Sequence, residues 1–284
     1  MSVVSDKLFV GLQYILPARL IGTFVHRLAR SGRVWLKNAL IRSFSRLFAI
    51  DETEMEATRA TDYPDFNAFF TRKLKPGARP VDTDPRLVCS PADGTVQQVG
   101  TISDGRLLQA KDMSFTAARL LGTTPARIEP FDGGAFLTIY LAPHNYHRVH
   151  APLDGKLRRM HFIPGARFSV NRITANAIPG LFARNERVAC QFDGEHGAYW
   201  LVFVGAMNVA SISTAWAGEV VGGDHPVRET FDAGSAPSYC KGDYIGHFNL
   251  GSTVILLFPR DVARWNPSLK TLDTLTVGRA IATL

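Results

Sequence analysis

The sequence predicts an α+β protein: a mainly antiparallel β sandwich or barrel-like core preceded by N-terminal amphipathic helices. Three observations predict it. Apolar residues recur at helical spacing over residues 8–50, and short β-rich runs alternate with turn residues from Leu87 onward. The dipeptide Asp-Gly also recurs at 93, 104, 132, 154 and 193, a hairpin signal. A chain of 284 residues that is 46% hydrophobic and 20% charged has the material for a sizeable core, which excludes a disordered or fibrous polypeptide.

The elements follow in chain order. Leu20, Phe24 and Leu28, then Val34, Trp35, Ile41, Phe44, Leu47 and Phe48, fall on helical faces with arginines filling the gaps, which predicts two or three amphipathic helices. The composition then turns polar and offers a short helix around 66–70. The connector Lys75-Pro76-Gly77-Ala78-Arg79-Pro80 divides a helical region, 1–80, from a β-rich region, 81–284. Strands are predicted at 95–99, 135–141, 157–162, 187–192, 199–213 and 252–258. One helix interrupts them at 115–121, with Ser114 as its cap and Gly122 as its stop. No internal repeat is evident.

Charge separates the same two regions. Residues 1–50 hold eight bases (Lys7, Arg19, Arg27, Arg30, Arg33, Lys37, Arg42, Arg46) against Asp6, so this segment carries +7, which is the net charge of the whole chain. A nucleic-acid enzyme lines its groove with cations from the body of the fold, and this body is balanced, so no nucleic-acid partner is expected. Cations beside Trp and Phe suit a helix lying in the plane of an anionic membrane surface; a helical hairpin packed on its own domain is the alternative. No apolar run reaches the roughly 20 residues that span a bilayer. The apolar stretch 8–16 runs into Pro17 and Arg19 without a signal-peptide cleavage pattern. Cys89, Cys190 and Cys240 are odd in number and widely spaced, which fits a reducing compartment and neither a disulfide framework nor a structural zinc site.

The common nucleotide-binding, nucleophile-elbow and zinc-protease signatures are missing. Three segments remain as candidates for chemistry. Pro143-His144-Asn145-Tyr146-His147-Arg148-Val149-His150-Ala151-Pro152 carries three of the chain's eight histidines directly after an apolar strand. Imidazole has a suitable pKa for acid/base work. Metal binding is disfavoured because no acidic or thiol ligand lies within the segment, and plain loop histidines remain an alternative. Ser90-Pro91-Ala92-Asp93-Gly94 reads by itself as a turn, in which Asp93 matters only with a partner. Leu250-Gly251-Ser252-Thr253 opens the last strand. Glycine lacks a Cβ, so the following Ser252 hydroxyl can approach the preceding carbonyl carbon; an ordinary strand-edge serine is the bland reading.

Together the three segments resemble the phosphatidylserine decarboxylase family, bacterial membrane type. The likeness is carried by Leu250-Gly251-Ser252-Thr253, the family's LGST self-cleavage motif, by Tyr146-His147-Arg148-Val149-His150 and by Ala92-Asp93-Gly94. It extends through Phe66-Asn67-Ala68-Phe69-Phe70, Phe168-Ser169-Val170-Asn171, Leu181-Phe182-Ala183-Arg184-Asn185-Glu186-Arg187 and Val204-Gly205-Ala206. Asn145, where the family often has an acidic residue, and residues 222–240 depart from it.

The resemblance implies autocatalytic serinolysis at the Gly251/Ser252 bond, with His150 as base, Asp93 orienting it and Ser252 as nucleophile. Residue 252 would then become a pyruvoyl group, the covalent cofactor, whose carbonyl condenses with the amine of phosphatidylserine and draws off electrons as CO2 departs. His147 would protonate the product carbon. The resemblance further implies that chains 1–251 and 252–284 stay associated, a homodimer, and peripheral attachment to the cytoplasmic face of the cell membrane, where an anionic phospholipid surface is the partner and phosphatidylserine the substrate. Two competing readings are a non-enzymatic peripheral membrane module and a related decarboxylase of a soluble amino acid.

Overall fold

The computed structural model describes residues 3–206, 211–220, 223–232 and 234–284. Three helices open the chain, α1 (Val3–Ile15), α2 (Ala18–Ala29) and α3 (Val34–Phe48), followed by the one-turn α4 (Phe66–Phe70). Pro17 separates α1 from α2, since proline supplies no N–H to continue the first helix. Ala49, left-handed at φ 48°, ends α3. Asp65 starts α4 by accepting the Ala68 N–H.

The rest is mainly antiparallel sheet, interrupted by the short helices Ala117–Leu121, Arg172–Ala175 and Leu181–Arg184, so the chain has the α+β architecture predicted. Among the described residues the main sheet has nine strands; its central path runs Gly155–Ile163, Arg187–Gly194, Gly197–Gly205, Ser252–Leu257, Ala135–Leu141, Gly94–Thr101. A second sheet of four strands includes Arg148–His150, Tyr244–Phe248 and Ile212–Thr214. The Ser252–Leu257 strand is buried along its whole length because it has neighbours on both sides, which is why it reads as an unbroken apolar run rather than an alternation.

Three expectations are corrected. The run 199–213 is two strands, Gly197–Gly205 and Ile212–Thr214, which belong to different sheets; part of the segment between them, 207–210, lies outside the described residues. The helix predicted at 115–121 is Ala117–Leu121, capped by Thr116, whose hydroxyl accepts the Arg119 N–H. Ser114 and Phe115 instead belong to the Met113–Thr116 strand, because pairing with Arg106–Ala110 outcompetes one more turn of helix. Of the five Asp-Gly pairs, 104–105 makes a tight turn with both residues at positive φ, and 193–194 leads into a hairpin. Asp93-Gly94 serves another end: a Cβ on residue 94 would lie 2.4 Å from the Tyr140 carbonyl oxygen, so glycine lets two strands approach.

Two apolar clusters form. The large one fills the β body. The small one gathers Ala29, Ile41, Ile50, Met55, Ala60, Phe66, Phe69 and Phe70 from the helical region and takes one residue from the body, Leu250.

Candidate active site

Sheet register assembles the site. Ser252, the first residue of its strand, pairs with Leu141 on one side and Gly205 on the other. Chain leaving Leu141 therefore emerges beside Ser252, and this chain is the histidine segment. Asn145 folds it back by accepting the Ala142 N–H on its side chain at 2.7 Å and returning its own N–H to the Ala142 carbonyl at 2.9 Å. His147 then lies between the two sheets. Its carbonyl accepts the Phe248 N–H at 3.2 Å, and its Nδ1 lies 3.4 Å from the Ser252 hydroxyl. The three residues between Phe248 and Ser252, namely Asn249, Leu250 and Gly251, form an arch from one sheet to the other, tied at both feet to His147.

The arch is strained. Leu250 has φ 89° and Gly251 φ 67°. A leucine in that region costs about 1–3 kcal/mol and persists only where its surroundings impose it. One side of the arch is fixed by Asn249, whose side-chain amide donates to Ser211 Oγ at 2.9 Å and Ser213 Oγ at 3.0 Å, and the other by the central strand.

Ser252 and His147 are fully sealed from water. Phe70 stacks on the His147 ring at 4.0 Å between centroids. Burial, reinforced by the Arg72 cation, pushes the His147 pKa down to about 3. The imidazole is therefore neutral and able to accept a proton. For Nδ1 to take one from Ser252, the ring proton must sit on Nε2, a buried atom that makes no hydrogen bond. Arg72 is itself buried; its Nη2 donates to the His144 carbonyl at 3.3 Å, while Nε and Nη1 have no partner. Sequence reading missed Arg72 because an arginine two residues beyond α4 looks like an ordinary surface cation.

The other expected residues stand apart from this pair. His150 Nδ1 donates to the Gly242 carbonyl at 2.8 Å, and its Nε2 accepts from the Tyr146 hydroxyl at 3.1 Å. Burial lowers its pKa as well, an effect the Gly242 carbonyl opposes. Asp93 is held by Arg79, whose Nη2 donates at 2.7 Å and whose Nε reaches both carboxylate oxygens at 3.0 Å, and by the Val277 N–H at 2.8 Å. Arg79 also grips Glu54 of the helical region through two bonds of 2.9 Å. The structure thus brings Ser252 to His147. It leaves His150 bonded to Tyr146 and Gly242, and Asp93 bonded to Arg79, a residue that the sequence argument had treated only as connector. Among the described residues no group of His, Cys, Asp and Glu has a metal-binding arrangement.

Comparison with known proteins gives this geometry a family. The family model for phosphatidylserine decarboxylase matches residues 66–283, and a second model, PSD, matches residues 8–49. The chain is 49% identical over 282 residues to a phosphatidylserine decarboxylase proenzyme of Stutzerimonas stutzeri, covering 98% of this chain and 95% of that one. Proenzymes of the same name from Azotobacter vinelandii and Marinobacter nauticus are 47% and 45% identical, with 98% of each chain covered. The chain belongs to the phosphatidylserine decarboxylase family. It is accordingly a decarboxylase, and its relatives are named as zymogens. For a phosphatidylserine decarboxylase, the sealed serine behind a strained Leu-Gly arch is the feature that calls for explanation.

Proposed function

We propose that this chain is the proenzyme of a pyruvoyl-dependent decarboxylase that converts phosphatidylserine to phosphatidylethanolamine and CO2, activated by cutting its own backbone between Gly251 and Ser252. The observation that carries the reading is the buried Ser252 hydroxyl, 3.4 Å from a neutral imidazole and directly downstream of two residues at positive φ.

In the cleavage, Ser252 Oγ attacks the Gly251 carbonyl carbon. A C–O bond forms, the peptide C–N bond breaks, and the hydroxyl proton passes through an imidazole to the departing nitrogen. Loss of the residue 252 α-proton then breaks the Cβ–O bond and frees Gly251 as a carboxylate. Tautomerisation and addition of one water release ammonia.

The residues present fit the resulting group: position 252 heads a dry central strand, and the orphaned Nε2 of His147 leaves that ring free to move a proton beside it. A pyruvoyl group there supplies a conjugated carbonyl that accepts the electron pair when the substrate carboxylate leaves. His147 takes up the proton that the substrate ammonium gives up on condensation and delivers it to the product carbon. Burial of Ser252, His147 and Phe70 keeps water from quenching that carbon first.

The base for the cleavage is the role that the resemblance gives to His150, oriented by Asp93. For His150 to serve, its ring must leave Tyr146 and turn toward Ser252. Four variants separate the roles, each scored for chain cleavage and for CO2 release. Ser252→Ala is expected to abolish both. His147→Ala is expected to abolish decarboxylation; a cleaved but inactive chain assigns the cleavage proton to His150, and an uncleaved chain assigns both protons to His147. His150→Ala and Asp93→Asn are expected to slow cleavage. The first experiment is an intact mass spectrum of the denatured protein. Two chains are expected, with the 33-residue piece 252–284 lighter by one ammonia than its sequence. A single chain of full mass that releases no CO2 from phosphatidylserine vesicles would overturn the reading.

The substrate is an anionic lipid, and the helical region suits its surface. Leu20, Phe24, Trp35 and Leu47 are exposed, as are Arg27, Arg33, Arg42 and Arg46. No single helix among the described residues is long and apolar enough to cross a bilayer, although Ser5–Ile15 and Leu20–Ala29, bent at 93°, reach that length and composition together. The exposed apolar residues beside exposed arginines are what favour in-plane attachment.

A further inference from the structure

The one-turn helix α4 touches two consecutive residues of the arch and the histidine that ties its feet. Asn67 Nδ2 donates to the Asn249 side-chain oxygen at 2.9 Å, the residue that begins the arch. Leu250, its middle residue, is only 7% exposed and is packed into the helical cluster to which Phe66, Phe69 and Phe70 belong. Phe70 stacks on His147, which ties the two feet. The Asn67 bond adds to the anchoring of Asn249, whose side-chain N–H groups bond Ser211 and Ser213 and whose backbone N–H bonds the Ser211 carbonyl at 3.0 Å.

These contacts explain why leucine stays at φ 89°. Neither the Asn249 bonds to Ser211 and Ser213 nor the Ser252 ladder acts on residue 250 itself. Burying the Leu250 side chain among the phenylalanines does, because rotating the backbone to an ordinary φ would carry the side chain out of that cluster. The helical region thus holds the peptide to be cut in its strained form, and the hold is spent once the bond is broken, since Gly251 then becomes a free chain end.

We infer that α4 is a maturation clamp, in which Asn67 is a positioning residue for self-cleavage and the aromatic cluster is a socket for the Leu250 side chain. The inference rests on the self-cleavage reading above and adds to it a role for the helical region separate from contact with lipid. A clamp acts on the arch before cleavage, so its loss should slow maturation while leaving the matured enzyme as it was.

The test follows cleavage of freshly synthesised full-length chain on denaturing gels, together with kcat and KM of the fraction that has cleaved. Asn67→Ala is expected to slow cleavage about tenfold, the equivalent of ~1.4 kcal/mol in the barrier, with kcat and KM of the cleaved fraction unchanged. Asn249→Ala, which also removes the bonds to Ser211 and Ser213, should slow it at least as much, and adding Asn67→Ala to it should slow it no further, because the bond between the two asparagines is already gone. Leu250→Gly, which abolishes both socket and strain, should cleave more slowly than Leu250→Met, which keeps a side chain in the socket. Wild-type cleavage rates in Asn67→Ala and Leu250→Gly would overturn the clamp. So would equal losses in cleavage rate and in kcat of the cleaved fraction, which would mark general damage to the fold. A wild-type chain that never cleaves would overturn the self-cleavage reading and the clamp with it, whereas a wild-type chain that cleaves beside variants that keep pace overturns the clamp alone.

Discussion

A histidine sealed from water stays neutral through the physiological range, and His147 is such a histidine. Because its pKa is pushed down to about 3, His147 is not lost as a base when pH falls through 6.5; burial lowers the pKa of His150 as well. With His147 as the base, the rate of self-cleavage, followed on gels from pH 5 to 8, is therefore expected to stay nearly level instead of falling about tenfold per unit below 6.5. Asp93 calls for a different measurement. It accepts from Arg79 and from the Val277 N–H, so Asp93→Asn strips a half-buried guanidinium of one of its two carboxylates at a cost of roughly 1–3 kcal/mol. A lower urea midpoint is expected alongside any slowing of cleavage. Arg79→Met provides the comparison: if it slows cleavage as much as Asp93→Asn does, Asp93 acts by holding the fold and not by orienting His150.

At the scale of elements, α4 has five residues and no independent stability, and it persists because Phe66, Phe69 and Phe70 are buried against α3 and Leu250. Phe69→Ala should cost about 3–5 kcal/mol. Since the helical cluster is separate from the core of the β body, the loss should be local: hydrogen exchange is expected to show faster exchange in α3 and α4 while the central strands stay protected. Strand 135–141 was legible residue for residue and 252–258 to within one, because both are apolar runs bounded by turns or polar chain. The cap of the 117–121 helix was not legible, since Ser114 and Thr116 are both good caps and only the neighbouring strand decides between them.

Across the whole molecule, two gradients govern behaviour. The first is charge. Residues 1–50 carry +7 and the remainder sums to zero, although part of that charge is spent inside the fold, where Arg30 bonds Glu219 at 2.9 Å and Lys37 bonds the Thr61 carbonyl at 2.6 Å. Co-sedimentation with anionic vesicles is expected to fall steeply between 50 and 500 mM salt as screening shortens, and to be lost with residues 1–50 removed. The second is protonation. His147 and His247 have folded pKa values of about 3 and about 4, below the 6.5 of an unfolded histidine. A depressed folded value means that the unfolded chain takes up protons the folded chain refuses, so stability is full above pH 6.5 and is lost as pH falls toward those values. Between pH 6.5 and 5 each contributes a loss of about 2 kcal/mol, which should lower the urea midpoint without changing the slope.

The sequence alone determined the fold class, the family resemblance and the concentration of net charge in residues 1–50, and it nominated the candidate segments for chemistry. These are properties of periodicity, composition and local motif, and Leu250-Gly251-Ser252 and the histidine segment are legible from neighbours along the chain. What it did not determine is who touches whom. Leu141 pairing with Ser252 is a fact of sheet register, and register puts His147 beside the hydroxyl while His150 faces Tyr146 and Gly242. Asp93 meeting Arg79, and Asn67 meeting Asn249 across 182 positions of chain, are likewise contacts between elements. Only tertiary structure decides them, because the energy that selects a partner for a buried polar atom is fixed by which surfaces pack together, and no local pattern records that.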